Sequence, residues 1–102
     1  MTRKELLERA ANIVTGHRES DYGSPENSFA AIAELWSYWL GVDVTAYDVG
    51  MMMILLKVAR IREAQGRPTD DSFVDLAGYA ACTSEILDGM QNEKAEPEAA
   101  EG

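Results

Sequence analysis

Apolar side chains recur along this chain at helical spacing in four separate runs. Leu6, Leu7, Ala10, Ile13 and Val14 mark the buried face of a first helix. Thr2 followed by Glu5 supplies its capping box, and Gly16 its stop. His17 to Gly23 carries no periodicity and reads as a loop. A second helix opens at Ser24-Pro25, a cap followed by proline at the first helical position. Phe29, Ile32, Ala33, Trp36 and Leu40 form its apolar stripe, and Gly41 ends it. A third runs from Thr45, with Asp48 placed to return the cap, through about Ala64. A fourth is capped by Thr69, Asp70 or Asp71, passes Ile86-Leu87 and is predicted to stop near Gly89. No run alternates as a strand would, and no segment repeats. The expectation is an all-α, four-helix bundle-like domain over residues 1–90, followed by a disordered acidic tail over 91–102.

The third run breaks the pattern of a surface helix. Met51-Met52-Met53-Ile54-Leu55-Leu56 leaves no polar face for nearly two turns. A helix apolar all round is covered on all sides. It is therefore either the central helix of the bundle or is covered by a second copy, as a dimer or higher homo-oligomer. Gly50 and Gly78 lie inside helical patterns at a cost of roughly 1 kcal/mol each relative to alanine. Close helix–helix approach accounts for both; a ligand pressed against the backbone is the sharper alternative.

Charge narrows the function. Nine Lys plus Arg against eighteen Asp plus Glu give a net charge of −9. That disfavours a DNA or RNA duplex, whose backbone requires clustered cations, but leaves room for a small nucleotide held by a few local ones. One cysteine, Cys82, in an apolar run cannot form an internal disulfide and fits a reducing compartment. The amino terminus shows no apolar signal region, and nothing approaches the ~20 apolar residues of a membrane helix. The expected setting is cytoplasmic, with no membrane partner.

Two groups of residues carry candidate chemistry. Lys57 and Arg60 close the third helix, and Asp71 and Asp75, with Tyr79 one turn further on, open the fourth. The short connection Gln65–Thr69 makes these helices antiparallel neighbours, so the two charge pairs meet at one end of a hairpin. They read either as a structural ion-pair network or as a phosphate cradle whose Asp71 and Asp75 could hold Mg²⁺. The second group is the His17–Gly23 loop. His17, Arg18 and Tyr22 offer an imidazole, a guanidinium and a stacking ring beside Gly23 and the amide end of the second helix, where Asn27 lies. The plain alternative is an ordinary connection with Tyr22 on the core. Trp36, Tyr38 and Trp39 read as core or interface aromatics. There is no Gly-x-x-x-x-Gly-Lys-Ser/Thr phosphate loop, and one cysteine with one histidine cannot build the usual zinc sites.

Taken jointly, Asp21-Tyr22-Gly23-Ser24-Pro25-Glu26-Asn27-Ser28-Phe29, Ile32–Trp36, Met53–Ile61 and Asp71–Tyr79 resemble a small family of phage and prophage domains of unknown function, over roughly residues 5 to 87. The resemblance implies a viral protein acting inside a bacterial cell and supplies no mechanism. A more distant likeness runs to MazG-like all-helical nucleoside triphosphate pyrophosphohydrolases and to nucleotide-modification-associated helical domains of phages. MazG-like enzymes hold Mg²⁺ with acidic pairs on two facing helices. Asp71 and Asp75 could correspond to one pair at a spacing of four, but the facing helix offers Lys57 and Arg60 instead of carboxylates.

The resulting expectation is a nucleotide-binding homo-oligomer without catalysis, sequestering a cyclic nucleotide or related immune signal. Lys57 and Arg60 would meet phosphates and Tyr22 or Tyr79 a base. The alternatives are a divergent MazG-like pyrophosphohydrolase, with Asp71, Asp75 and Glu34 or Glu63 around Mg²⁺, and a protein-binding module with an acidic surface.

Overall fold

The computed structural model describes residues 1–16 and 23–101, with side chains through Asn92. Helices α1 (Arg3–Thr15), α2 (Pro25–Leu40), α3 (Ala46–Ala64) and α4 (Asp70–Glu101) make up an all-helical fold, with no strand among the described residues. Thr2, Ser24 and Thr45 cap their helices as the sequence predicts, but the Thr2–Glu5 box is only half formed, because the Glu5 carboxylate takes the Thr2 hydroxyl at 3.2 Å and not the Thr2 amide. Thr2 Oγ1 accepts from the Glu5 amide at 3.2 Å, and Ser24 Oγ accepts from the Asn27 amide at 3.3 Å. Thr45 and Asp48 close a full capping box, with the Thr45 amide donating to Asp48 Oδ2 at 2.9 Å. Gly41 ends α2 in the left-handed conformation at φ 72°. Just beyond it, Ser37 Oγ takes the Val44 amide at 2.8 Å and donates to the Val44 carbonyl at 3.1 Å, which ties down the short turn into α3.

The fourth helix corrects one boundary. It runs straight through Gly89 to Glu101 instead of stopping there. Gly89 is not among the glycines with positive φ, so it makes no left-handed cap. The residues after it (Gln91, Glu93, Lys94, Ala95, Glu96) are good helix formers. Their propensity favours continuation past the glycine, whereas Pro97 further along the same helix opposes it.

α3 and α4 form the principal hairpin, with α1 laid on α4 and α2 on α3. The core joins Phe29 and Ala33 of α2, Val49 of α3, and Cys82 and Ile86 of α4. Trp36, Met53 and Tyr79 pack around it, and Phe29 and Tyr79 bring their rings to 6.2 Å between centroids. Gly50 is buried where α3 crosses α4. A Cβ there would lie 2.9 Å from Thr83 Cβ and Cγ2 and closer still to Oγ1. Thr83 is itself buried, and its hydroxyl donates back to the Tyr79 carbonyl at 2.6 Å. At Gly78 an added Cβ would stand 3.0 Å from Val14 Cγ1 of α1. Both helical glycines thus mark close approach between helices.

α3 is not the central helix. Val49, Gly50, Met53 and Lys57 turn inward, while Met51, Met52, Leu55, Leu56 and Val58 are exposed. On α2, Leu35, Tyr38 and Trp39 are exposed as well, so of the three α2 aromatics expected in core or interface only Trp36 packs on the core.

Overpacking a tight crossing costs about 1–3 kcal/mol. Gly50→Ala is expected to lower stability by that amount in chemical denaturation. Thr83→Ala in the same chain should recover part of the loss, so the double-mutant cycle should be non-additive; additive losses would refute the contact.

Candidate ligand site

The charged residues at the mouth of the α3–α4 hairpin divide between two recesses. Lys57 and Asp75 form one ion pair, Nζ to Oδ2 at 2.8 Å, with side chains 17 % and 37 % exposed. Lys57 sits on the inward face of α3 one turn before Arg60, and Asp75 on the first turns of α4, so the antiparallel hairpin brings them together. Asp71 makes a different contact from the expected one. It pairs with Arg9 of α1, Nη2 to Oδ1 at 2.8 Å, on an open surface where the two side chains are 48 % and 84 % exposed. α1 packs along α4 and reaches Asp71 first. Arg60 is left exposed, with no ion pair among the described residues.

Asp75 also lines a largely apolar cavity of about 330 Å³ between the helices. Its walls include Ile13 and Val14 of α1, Phe29 and Ile32 of α2, Met53 of α3, and Tyr79 and Cys82 of α4, with Gly23 at the edge. Among the described residues lining it, Asp75 alone is charged, and through Asp75 the Lys57 ammonium is held beside the cavity. Small-molecule sites are concave, mostly apolar and begin near 300 Å³. This one has room for a ring system, and any phosphates would have to lie outside it.

The second recess is a shallow groove of about 640 Å³ across the α3–α4 turn. Arg9, Arg60 and Arg67 face Glu63, Asp70 and Asp71 along it. Arg67 donates from Nε to the Ala64 carbonyl at 2.9 Å and from Nη2 to the Glu63 carbonyl at 3.2 Å. It thereby satisfies the open end of α3.

Of the residues singled out from the sequence, Gly23, Asp75 and Tyr79 line the cavity, Lys57 is paired to its rim, and Arg60 and Asp71 belong to the groove. Asn27 lines neither recess; its backbone amide serves the Ser24 cap. His17, Arg18 and Tyr22 lie outside the described residues. Sequence reasoning missed Arg9 and Arg67. The position of Arg67 just past a helix end was a usable signal, since basic side chains there bond the last carbonyls. Arg9 gave none, because its partner lies 62 residues away. Asp71 and Asp75 each answer a separate cation, and among the described residues no group of three or more His, Cys, Asp or Glu side chains comes together. No helix among the described residues is long and apolar enough to cross a membrane.

Fold and site together define a small all-helical domain with an apolar cavity behind an ion-paired rim. The chain belongs to the family described as Domain of unknown function (DUF6378), which matches residues 5–87. It is 38% identical over 85 residues to the Gene 55 protein of Mycobacterium phage D29, covering 83% of this chain and 55% of that protein. It is 42% identical over 87 residues to the Gene 55 protein of Mycobacterium phage L5, covering 84% of this chain and 52% of that protein. The chain thus spans about half the length of these curated relatives. No solved structure matches it.

The two ion pairs differ in burial, and their contributions should differ with it. Asp71→Asn breaks an exposed pair and should cost at most about 1 kcal/mol. Asp75→Asn leaves a mostly covered lysine without its counter-charge and should cost about 1–3 kcal/mol. Equal losses in urea titrations of the two variants would contradict the assignment.

Proposed function

We propose that this domain binds a nucleotide-like small molecule without turning it over, acting in the cytoplasm of the infected cell. The supporting observation is the cavity with its rim: an apolar recess of about 330 Å³ bordered by the Lys57–Asp75 pair. A base enters beside Tyr79 and Phe29, which supply stacking surface. Phosphates stay at the mouth, where Lys57 exchanges part of its contact with Asp75 for the ligand, and Arg60 lies one helical turn further on for a second phosphate. In a phage setting such a protein withdraws a cyclic nucleotide or related immune signal from circulation.

Binding fits this residue set better than hydrolysis. MazG-like chemistry needs carboxylates from two helices around Mg²⁺, and here α3 presents a lysine and an arginine opposite α4. Lys57 at the rim of the cavity and Arg60 one turn further on, in the neighbouring groove, suit an anion better than a cluster of metal ions.

A thermal-shift series of linear and cyclic nucleotides, with and without Mg²⁺, tests the reading. Binding to the native state alone stabilises by RT ln(1 + [L]/Kd), about 2.7 kcal/mol at a hundredfold excess over Kd. At least one nucleotide should raise the melting temperature of the wild-type chain, and Lys57→Met should lose that rise while keeping its own fold. Release of pyrophosphate from a nucleoside triphosphate in Mg²⁺, or no shift with any nucleotide, would contradict the proposal.

A further inference from the structure

The outward face of α3 has an order that its apolar composition conceals. Asp48, Leu55 and Arg62 fall at heptad spacing, with Met51 and Met52 between the first two and Val58 and Ala59 between the last two. Residues at these intervals share one helix face. Met51, Met52, Leu55, Val58, Ala59 and Arg62 are exposed on it, Leu55 to 62 %. The face therefore begins with an acid, half-buried Asp48, whose Oδ2 also accepts from the Thr45 amide, ends with a base, and is apolar between them. Asp48 and Arg62 stand equidistant from Leu55, seven residues to either side, or about 10 Å along the axis. The Arg62 guanidinium has no ion pair among the described residues.

That order is self-complementary in one orientation. If two copies of α3 cross antiparallel about Leu55, each Asp48 meets the other copy's Arg62, Met51 meets Ala59, Met52 meets Val58, and Leu55 meets itself. A parallel pair would set acid against acid and base against base. Each chain carries a net charge of −9, which opposes association. A face whose single acid and single base balance adds nothing to that repulsion and gains two ion pairs across the axis. From this charge complementarity we infer that the α3 face is a two-fold interface occupied by a second copy of this chain, antiparallel about Leu55. A closed two-fold contact of this kind uses the same patch twice.

Sedimentation analysis of the full chain tests it. Wild type should sediment at twice the 11.2 kDa chain mass at micromolar concentration. Leu55→Glu and Leu55→Lys each place like charges on the axis and should sediment as monomers with unchanged helical circular dichroism. Mixed in equal amounts, they should recover the dimer mass. Arg62→Glu sets acid against Asp48 and should raise the dimer dissociation constant about tenfold or more, a change that a parallel pair would not show. A monomeric wild type, an assembly that persists in both Leu55 variants, failure of the mixture to pair, or an Arg62→Glu dissociation constant equal to that of wild type would each overturn the proposal.

Discussion

The close crossing of α3 over α4 at Gly50 and Thr83 is the constraint on which the rest of this structure depends. With no side chain at position 50, the two helix backbones approach until Thr83 fills the space a Cβ would need. That contact fixes the rotation of α3 about its own axis. Val49 and Met53 then fall on the core and Lys57 falls opposite Asp75. The same rotation sends Met51, Met52, Leu55 and Val58 to the surface. A helix apolar on every side has no hydrophobic stripe to set its own orientation. Here a glycine and a threonine do so.

One rotation thus produces both surfaces that matter. Inside, Lys57 is held at the edge of an apolar cavity by its ion pair with Asp75. Outside, the ordered face from Asp48 to Arg62, for which a second copy is proposed, is turned away from the core. The two proposals rest on opposite sides of α3, so either can stand without the other. They share one requirement, that position 57 points in when position 55 points out. The Arg9–Asp71 pair contributes differently. It lies on an open surface, is screened by solvent, and serves mainly to hold α1 along the start of α4.

Much of the fold was legible in the sequence because its signals are local. Thr2, Ser24 and Thr45 cap as read, Gly41 terminates α2, and the Thr45–Asp48 box appears in full. The antiparallel hairpin followed from a short connection, and with it the meeting of Lys57 and Asp75. The losses were non-local or depended on competing local terms. Asp71 was matched with the nearer cations of α3, whereas tertiary packing brought Arg9 from the other end of the chain. Gly89 was read as a stop because glycine so often ends helices, but the glutamates, lysine and alanines after it favour continuation. The burial of α3 could not be resolved from periodicity, since Met51 to Leu56 present none. Gly50 was the residue that held the answer, and the heptad relation of Asp48, Leu55 and Arg62 became visible only once the outward face was known.

The three consecutive methionines allow that rotation to be read directly. Methyl resonances of Met51, Met52 and Met53, recorded on methionine-labelled Leu55→Glu protein with a soluble paramagnetic agent, report which side chains face water. The structure predicts strong attenuation of Met51 and Met52 and protection of Met53, which lines the cavity. Attenuation of Met53 equal to that of its two neighbours would mean that α3 is turned otherwise, and both the ion-paired rim and the two-fold face would have to be given up.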